Sequence, residues 1–326
     1  MIPGLPQRVT QHGLPQRVTV YEVGARDGLQ NEQAVVPTAA KAEFIERLGD
    51  AGLWMIEATG FVHPKWVPQL SDADELLPLL AERGKSFTEH TRFPVLVPNR
   101  RGLVRAAAAG AKDVAVFASA TETFAAKNLN STMADSMAEI EATVQQALAR
   151  GMRVRGYVSM CFGDPWEGPV ALRAVVDVVA RLVAAGCTQV SLGDTIGTAT
   201  PGHVRTLIDA LERRGVERDR LAVHFHDTYG QALANTYAAL QAGIATVDAS
   251  AGGLGGCPYA ESATGNLATE DLVWMLDGLG VTTGVDLEKL VATSGWMADI
   301  LGRPAPSRTV QALTKGRSGS TTPANG

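Results

Sequence analysis

Two of the six histidines in this chain, His224 and His226, stand two residues apart. In an extended strand that spacing puts both imidazoles on one face. Far upstream is an Arg26-Asp27 pair, and downstream lies Asn266. One carboxylate, two imidazoles and one amide oxygen make a donor set for a single divalent cation, with two octahedral positions left for substrate or water. Carboxylate and carbonyl oxygens favour magnesium or manganese, and the imidazoles keep zinc, cobalt and iron open. Glu57 interrupts an apolar run, Asp194 with Thr195 ends another, and Cys257 follows the glycine-rich stretch 252–256. Each residue also has a plainer reading. A histidine in a strand is often a hydrogen-bonded core residue, an Asp-Gly pair caps a turn, and an asparagine ahead of a helix serves a loop. Glu57 can be a paired core carboxylate, and a lone cysteine a small buried hydrophobe. The chemical reading rests on whether these residues meet.

Whether they meet depends on the elements that carry them. Short apolar runs at 18–23, 54–59, 93–97, 114–118, 154–159, 189–192, 221–226 and 246–250 read as strands. Amphipathic stretches at 38–51, 99–109, 133–150, 170–185, 201–214 and 232–242 read as helices, with a shorter one at 72–80. Most of the helices end in Gly or Ala-Gly, a helix stop, because glycine accepts the left-handed conformation. Thr200-Pro201 reads as a helix start, a capping hydroxyl followed by proline at the first helical position. Eight strands alternating with helices predict an α/β fold, a closed parallel (β/α)8 TIM barrel. The alternative is an open doubly wound sheet, but Gly24-Ala25-Arg26-Asp27-Gly28 puts charge where a nucleotide pyrophosphate would sit.

Barrel chemistry sits at the C-terminal ends of the strands. Strand one closes on strand eight, which neighbours strand seven, so Asp27, His224, His226 and Asn266 are expected to converge. Expected boundaries are a poorly ordered leader over 1–17, the barrel over 18–285, a C-terminal helical extension over 286–315 and a disordered tail over 316–326. The leader repeats itself, since Gly4 to Thr10 and Gly13 to Thr19 read identically.

The bulk composition excludes several classes. The 326 residues carry a formal net charge of −5, which argues against a nucleic-acid footprint. No run of 18 or more apolar residues predicts a membrane span. Three cysteines, none at ligand spacing, fit a reducing, cytoplasmic setting better than a disulfide framework.

Longer motifs then stand out. Glu22-Val-Gly-Ala-Arg-Asp-Gly-Leu-Gln-Asn-Glu32 resembles the signature of the metal-dependent lyase and Claisen-condensing barrels. Phe61-Val-His-Pro-Lys-Trp-Val-Pro-Gln69, Leu192-Gly-Asp-Thr-Ile-Gly197 and His224-Phe-His-Asp-Thr-Tyr-Gly-Gln-Ala-Leu-Ala-Asn235 resemble the hydroxymethylglutaryl-CoA lyases within that group. So do Gly253-Leu-Gly-Gly-Cys-Pro-Tyr-Ala260 and Thr264-Gly-Asn-Leu-Ala-Thr-Glu-Asp271, and the likeness spans residues 18 to 290. The resemblance implies metal ligands at Asp27, His224, His226 and Asn266, with magnesium or manganese as cofactor. It implies catalytic roles for Arg26, Cys257 and His224, and substrate contacts from Arg26, Gln30, Glu57 and Asp194. Departures occur at Asp164-Pro165-Trp166, where the family often has Cys-Pro-Tyr, at Gln33 in place of a frequent lysine, and at Ala251-Gly252.

The implied reaction is a retro-Claisen cleavage. A base takes the tertiary hydroxyl proton, the carbon–carbon bond breaks, and a ketone and a thioester enolate remain. A cation can hold the hydroxyl and the distal carboxylate together. Arg26 would stabilise the enolate oxygen, and a neutral Cys257 thiol would return a proton. The hydroxyl proton's acceptor stays open among His224, Asp27 and a water. The expected partner is an acyl-CoA substrate, with no nucleic acid, no membrane and a homo-oligomer, taken as a dimer. Rival readings are the same cleavage on a longer 3-substituted 3-hydroxyglutaryl-CoA, a Claisen-type acyl-CoA synthase, and an inactive barrel scaffold. The scaffold should have lost a ligand or Arg26, and neither is missing.

Overall fold

Alternation within each short apolar run decides where the strands go, because one parity packs beneath helices and the other turns inward. The computed structural model describes residues 7–84, 87–256 and 265–315. Its strands are β1 (Thr19–Glu22), β2 (Met55–Ile56), β3 (Thr59–Gly60), β4 (Val95–Leu96), β5 (Asp113–Ser119), β6 (Arg153–Ser159), β7 (Gln189–Asp194), β8 (Leu221–Phe225) and β9 (Thr246–Ala249). They form one parallel sheet in the order β2-β1-β9-β8-β7-β6-β5-β4-β3. β2 and β3 are two stretches of one extended segment, broken at Glu57 and Ala58. Those two residues still bond to either side, Glu57 N–H to the carbonyl of Glu22 (2.8 Å) and Ala58 N–H to that of Pro94 (2.9 Å). The two ends of the order thus meet in one segment and the sheet closes as the expected eight-stranded TIM barrel. An open doubly wound sheet would not close.

The helices are α1 (Thr38–Asp50), α2 (Ala73–Glu82), α3 (Arg100–Ala108), α4 (Glu122–Leu129), α5 (Met133–Leu148), α6 (Leu172–Ala185), α7 (Pro201–Arg213), α8 (Ala232–Gln241), α9 (Thr269–Gly278), α10 (Leu287–Leu301) and α11 (Arg308–Lys315). α7 starts at the expected Thr200-Pro201 step, where Thr200 and His203 form a capping box. α10 packs on α1 and α9, so the C-terminal extension shares the barrel's core. The leader is expected to lie outside the fold, but its described part does not. Val9 N–H donates to the carbonyl of Gly278 (2.9 Å), Arg8 pairs with Asp277, and the Tyr237 hydroxyl donates to Gln11 (2.5 Å). The physical reason is that the end of α9 offers orphan carbonyls and an acid, which this segment satisfies. The tail 316–326 lies outside the described residues.

Val154, Val158, Val190, Leu192, Leu221, Val223, Phe225 and Val247 face the helices in one continuous core. Each fully buried aliphatic or aromatic side chain of this kind contributes about 1.5–3 kcal/mol. The inward parity is different. Its apolar clusters are small, Tyr21-Val23-Met55 and Leu96-Ala115-Tyr157, and beside them Arg155, Ser191, His224 and Asp248 are all buried. Among the described residues no helix is long and apolar enough to cross a membrane.

Candidate metal site

Leaving β1, the chain enters a single π-helical turn, Gly24–Gly28. The N–H groups of Arg26, Asp27 and Gly28 all return to the carbonyl of Val23, at 3.2, 2.7 and 3.1 Å. This wide turn brings Arg26 and Asp27 over the barrel mouth. Below it, the buried Glu22 carboxylate accepts from Gly24 N–H (2.7 Å), Ala251 N–H (2.9 Å) and the Thr269 hydroxyl (2.6 Å). Burial pushes that carboxyl up to about 7 against these bonds. Glycine is required at position 24, since a Cβ there would lie 2.6 Å from Glu22 Oε1.

Asp27, His224 and His226 come together, their candidate ligand atoms all within 4.8 Å of one another. His224 Nε2 is 3.9 Å from Asp27 Oδ2, and the imidazole centroids are 5.3 Å apart. Asn266 joins them, its Nδ2 donating to Asp27 Oδ2 (2.9 Å) and to the carbonyl of Leu254 (3.1 Å). Gly255, with φ +102°, lets the backbone close over this amide, for a Cβ would sit 2.7 Å from Asn266 Nδ2.

The protonation states of Asp27 and His226 suit cation binding. Burial would raise the Asp27 carboxyl, but Arg26 and then the two imidazoles hold it well below the usual carboxylate range. Burial and the neighbouring His224 lower His226 to about 4, which leaves its ring neutral at pH 7. For His224 burial again lowers, but the bond to Asp248 and the charge of Asp27 outweigh it and raise the ring's pKa. The fit to a cation is visible in unused polar atoms. His226 Nδ1 and Asn266 Oδ1 are buried without a hydrogen-bond partner, and so are Glu57 Oε1 and Gln30 Oε1. Such orphans are costly unless a ligand completes them.

Arg26 is clamped between two acids. Its Nε donates to Glu57 Oε2 (2.6 Å) and its Nη1 to Asp27 Oδ1 (2.5 Å), leaving Nη2 without a partner among the described residues. Burial pushes the Glu57 carboxyl up, opposed by Arg26. The Tyr157 ring lies 5.5 Å from the guanidinium. Glu57 takes this place because it has the inward parity of Met55.

Asp194 stands apart from this group. It shares parity with Val190 and Leu192, which face the helices, and its oxygens accept Thr198 N–H (3.0 Å) and Ala199 N–H (3.1 Å). Burial raises its carboxyl to about 6. Cys257 lies outside the described residues, while Gly252, Gly253 and Gly255 before it all have positive φ. Cys161 and Cys187 are buried free thiols. Sequence reasoning missed Asp248, Arg155 and Ser191, which lie beneath His224. Their only signal is a polar residue at the inward parity of strands otherwise rich in valine.

Known proteins resemble this chain in sequence and in fold. The sequence model of the HMGL-like family matches residues 17–296. Hydroxymethylglutaryl-CoA lyase, mitochondrial, from Arabidopsis thaliana is 50% identical over 296 residues, covering 91% of this chain and 62% of that protein. The chain thus spans under two thirds of that relative's length. The cytoplasmic 3-hydroxy-3-methylglutaryl-CoA lyase of Rattus norvegicus is 46% identical over 316 residues, covering 97% of this chain and 88% of that protein. The crystal structure of hydroxymethylglutaryl-CoA lyase from Pseudomonas aeruginosa superposes with a TM-score of 0.88 at 44% identity, covering 93% of this chain and 99% of that one.

Proposed function

The chain belongs to the HMGL-like family, and from that premise we propose that it is a carbon–carbon lyase cleaving 3-hydroxy-3-methylglutaryl-CoA to acetyl-CoA and acetoacetate. The observation that carries this reading is Arg26, held by Glu57 and Asp27 with one guanidinium nitrogen free, beside three convergent metal-ligating side chains. Asp27, His224 and His226 would hold a divalent cation, and Asn266 would complete the set through the Oδ1 that has no partner. Magnesium or manganese is the proposed occupant, on the oxygen share of the ligands. When bound, it supplies Lewis acidity that lowers the pKa of the substrate hydroxyl and fixes its orientation.

The protein's own groups do the rest. Arg26 Nη2 meets the thioester oxygen as it becomes an enolate. Two carboxylates fix the guanidinium beforehand, so little reorganisation is needed when that charge develops. Gln30 offers an unused amide oxygen, and Glu57 an unused carboxylate oxygen, to the substrate. Asp194 acts through the 194–199 loop that it braces. His224 is proposed to act through the cation it would hold, and Cys257 is proposed to return a proton to the α-carbon. A homodimer and a cytoplasmic setting are proposed with this reading; the buried free thiols of Cys161 and Cys187 suit a reducing compartment.

The test is acetyl-CoA release from a panel of acyl-CoA thioesters before and after exhaustive chelation. Activity on 3-hydroxy-3-methylglutaryl-CoA that chelation removes and Mg2+ or Mn2+ restores is expected. Full activity after chelation removes the metal from the reading, and activity confined to a longer homologue moves the substrate.

A further inference from the structure

Beneath the metal-ligating histidine lies a buried network built from four adjacent strands. Asp248 on β9 is 1% exposed. Its carboxylate accepts from Arg155 Nη2 (2.6 Å) and Nη1 (3.1 Å), both on β6, and from the Ser191 hydroxyl (2.8 Å) on β7. Its fourth contact is His224 Nδ1, at 3.3 Å. The parallel ladder sets this last contact, since His224 on β8 is the direct register partner of Asp248. Arg155 is itself fixed on every side. Its Nε donates to Gln189 Oε1 (3.1 Å), and its guanidinium lies 3.8 Å from the Tyr21 ring centroid and 4.7 Å from that of Tyr157.

We propose that Asp248, held by Arg155, is a positioning residue that sets the tautomer and ring angle of His224 so that its Nε2 lone pair faces the cation site. The inference rests on the metal reading above. A carboxylate facing a guanidinium can only accept, so the histidine nitrogen it touches must carry the hydrogen. In neutral imidazole the other nitrogen is then the acceptor, and Nε2 is the atom that faces Asp27. Carboxylates placed this way behind metal-binding histidines fix the ring and raise its basicity. His226 gives an internal contrast, because no carboxylate stands behind its Nδ1, which has no partner. The competing account is a purely structural plug in the barrel, which would affect stability and nothing else.

Asp248→Asn keeps the shape but lets the amide turn its NH2 toward Nδ1, stabilising the tautomer that cannot ligate through Nε2. Mn2+ titration followed by EPR on the purified protein should show Kd raised about 10–100-fold. Because the single change leaves Arg155 buried without its acid, Asp248→Asn combined with Arg155→Met removes both charges. That double variant should recover melting temperature toward the parent while Mn2+ binding stays weak. Recovery of both together, or an unchanged Kd in Asp248→Asn, overturns the proposal. Nitrogen-15 shifts of labelled histidine in the metal-free parent protein give a reading that no variant's folding affects. At alkaline pH the ring whose signals vanish in His224→Gln should be the Nδ1–H form, and an Nε2–H form overturns the proposal. If the parent protein binds no Mn2+, the metal reading itself fails, and the tautomer measurement still decides what Asp248 does to His224.

Discussion

The two mouths of this barrel look alike in composition and differ in what they leave unsatisfied. At the N-terminal mouth lies a cavity of about 270 Å3, lined by Arg92, Asp113, Arg153 and Arg155 among others. Asp113 is saturated there, with Arg153 bonding both of its oxygens at 2.6 and 2.7 Å and Arg92 joining them. The unpartnered atoms of that end are Arg92 Nε, a donor, and the Tyr21 hydroxyl, which can donate or accept. At the C-terminal mouth they include acceptor oxygens on Asn266, Glu57 and Gln30, beside His226 Nδ1 and hydroxyls such as those of Thr59 and Ser250. A cation would complete the acceptor oxygens of the second set and has nothing to offer Arg92 Nε in the first. Arginines, acids and a well-formed hollow therefore do not mark a site. Unmet acceptor oxygens beside convergent metal-ligating side chains do.

The sharpest way to break that contrast is Arg26→Met. The enolate charge it faces exists mainly in the transition state, so kcat should fall about 100- to 1000-fold with little change in KM. Steady-state kinetics check this, and unchanged kcat with raised KM would reduce Arg26 to a substrate clamp. Cys257→Ser should come next, with kcat about 100-fold lower while fold and Mn2+ affinity persist, since a hydroxyl is a far weaker acid than a thiol. Substrate protection against thiol alkylation provides an independent check, and near-normal turnover would return Cys257 to a packing role.

At the other mouth, Asp113→Asn should cost about 1–2 kcal/mol of stability, less than a fully buried pair because Arg92 and Arg153 are partly exposed. Its kcat should stay within about twofold, read against urea unfolding of the same sample. A tenfold loss of turnover would show that the two ends are not separable.

The smallest effect concerns the supports of the C-terminal mouth. Glu270 accepts Gly252 N–H through both oxygens, at 2.9 and 3.0 Å, and the Ser294 hydroxyl, and burial pushes its carboxyl up to about 8. A raised acid holds a proton in the folded state that the unfolded chain has lost, so its favourable contribution is complete below pH 4.5 and disappears as pH rises toward 8. Glu270→Gln should flatten that slope in urea midpoints measured from pH 5 to pH 9, and an unaltered slope would assign the dependence elsewhere.

Much of this was legible in the sequence, for identifiable reasons. Period-two valines located the strands, and the spacing of His224 and His226 placed both on one face. Other features had no local signal. α4 at Glu122–Leu129 is not among the helices expected from the sequence, because its run of alanine, asparagine and lysine lacks an apolar stripe. The π-helical turn that aims Arg26 shows only as an Asp-Gly pair. Asp194 was legible as a polar strand end but not in its parity, since β7 continues through it and turns its carboxylate to the backbone of the next turn. Asp248 and Arg155 are 93 residues apart, and their pairing exists only once four strands lie side by side. An inward polar residue looks like a solvent-facing one until the barrel closes.

That closure also has a timetable. The bond between Asn266 and Asp27 joins residues separated by 239 positions. A ribosome adding about 5–20 residues per second needs roughly 10–50 s to cover that distance. For this interval β1 has no partner on its β9 side, and Asp27 waits without the imidazoles and amide that will surround it. The growing chain must therefore keep an incomplete barrel from pairing with its neighbours, and a cation that arrives early meets one carboxylate instead of a site. A cation would find its full ligand set only after synthesis has passed Asn266.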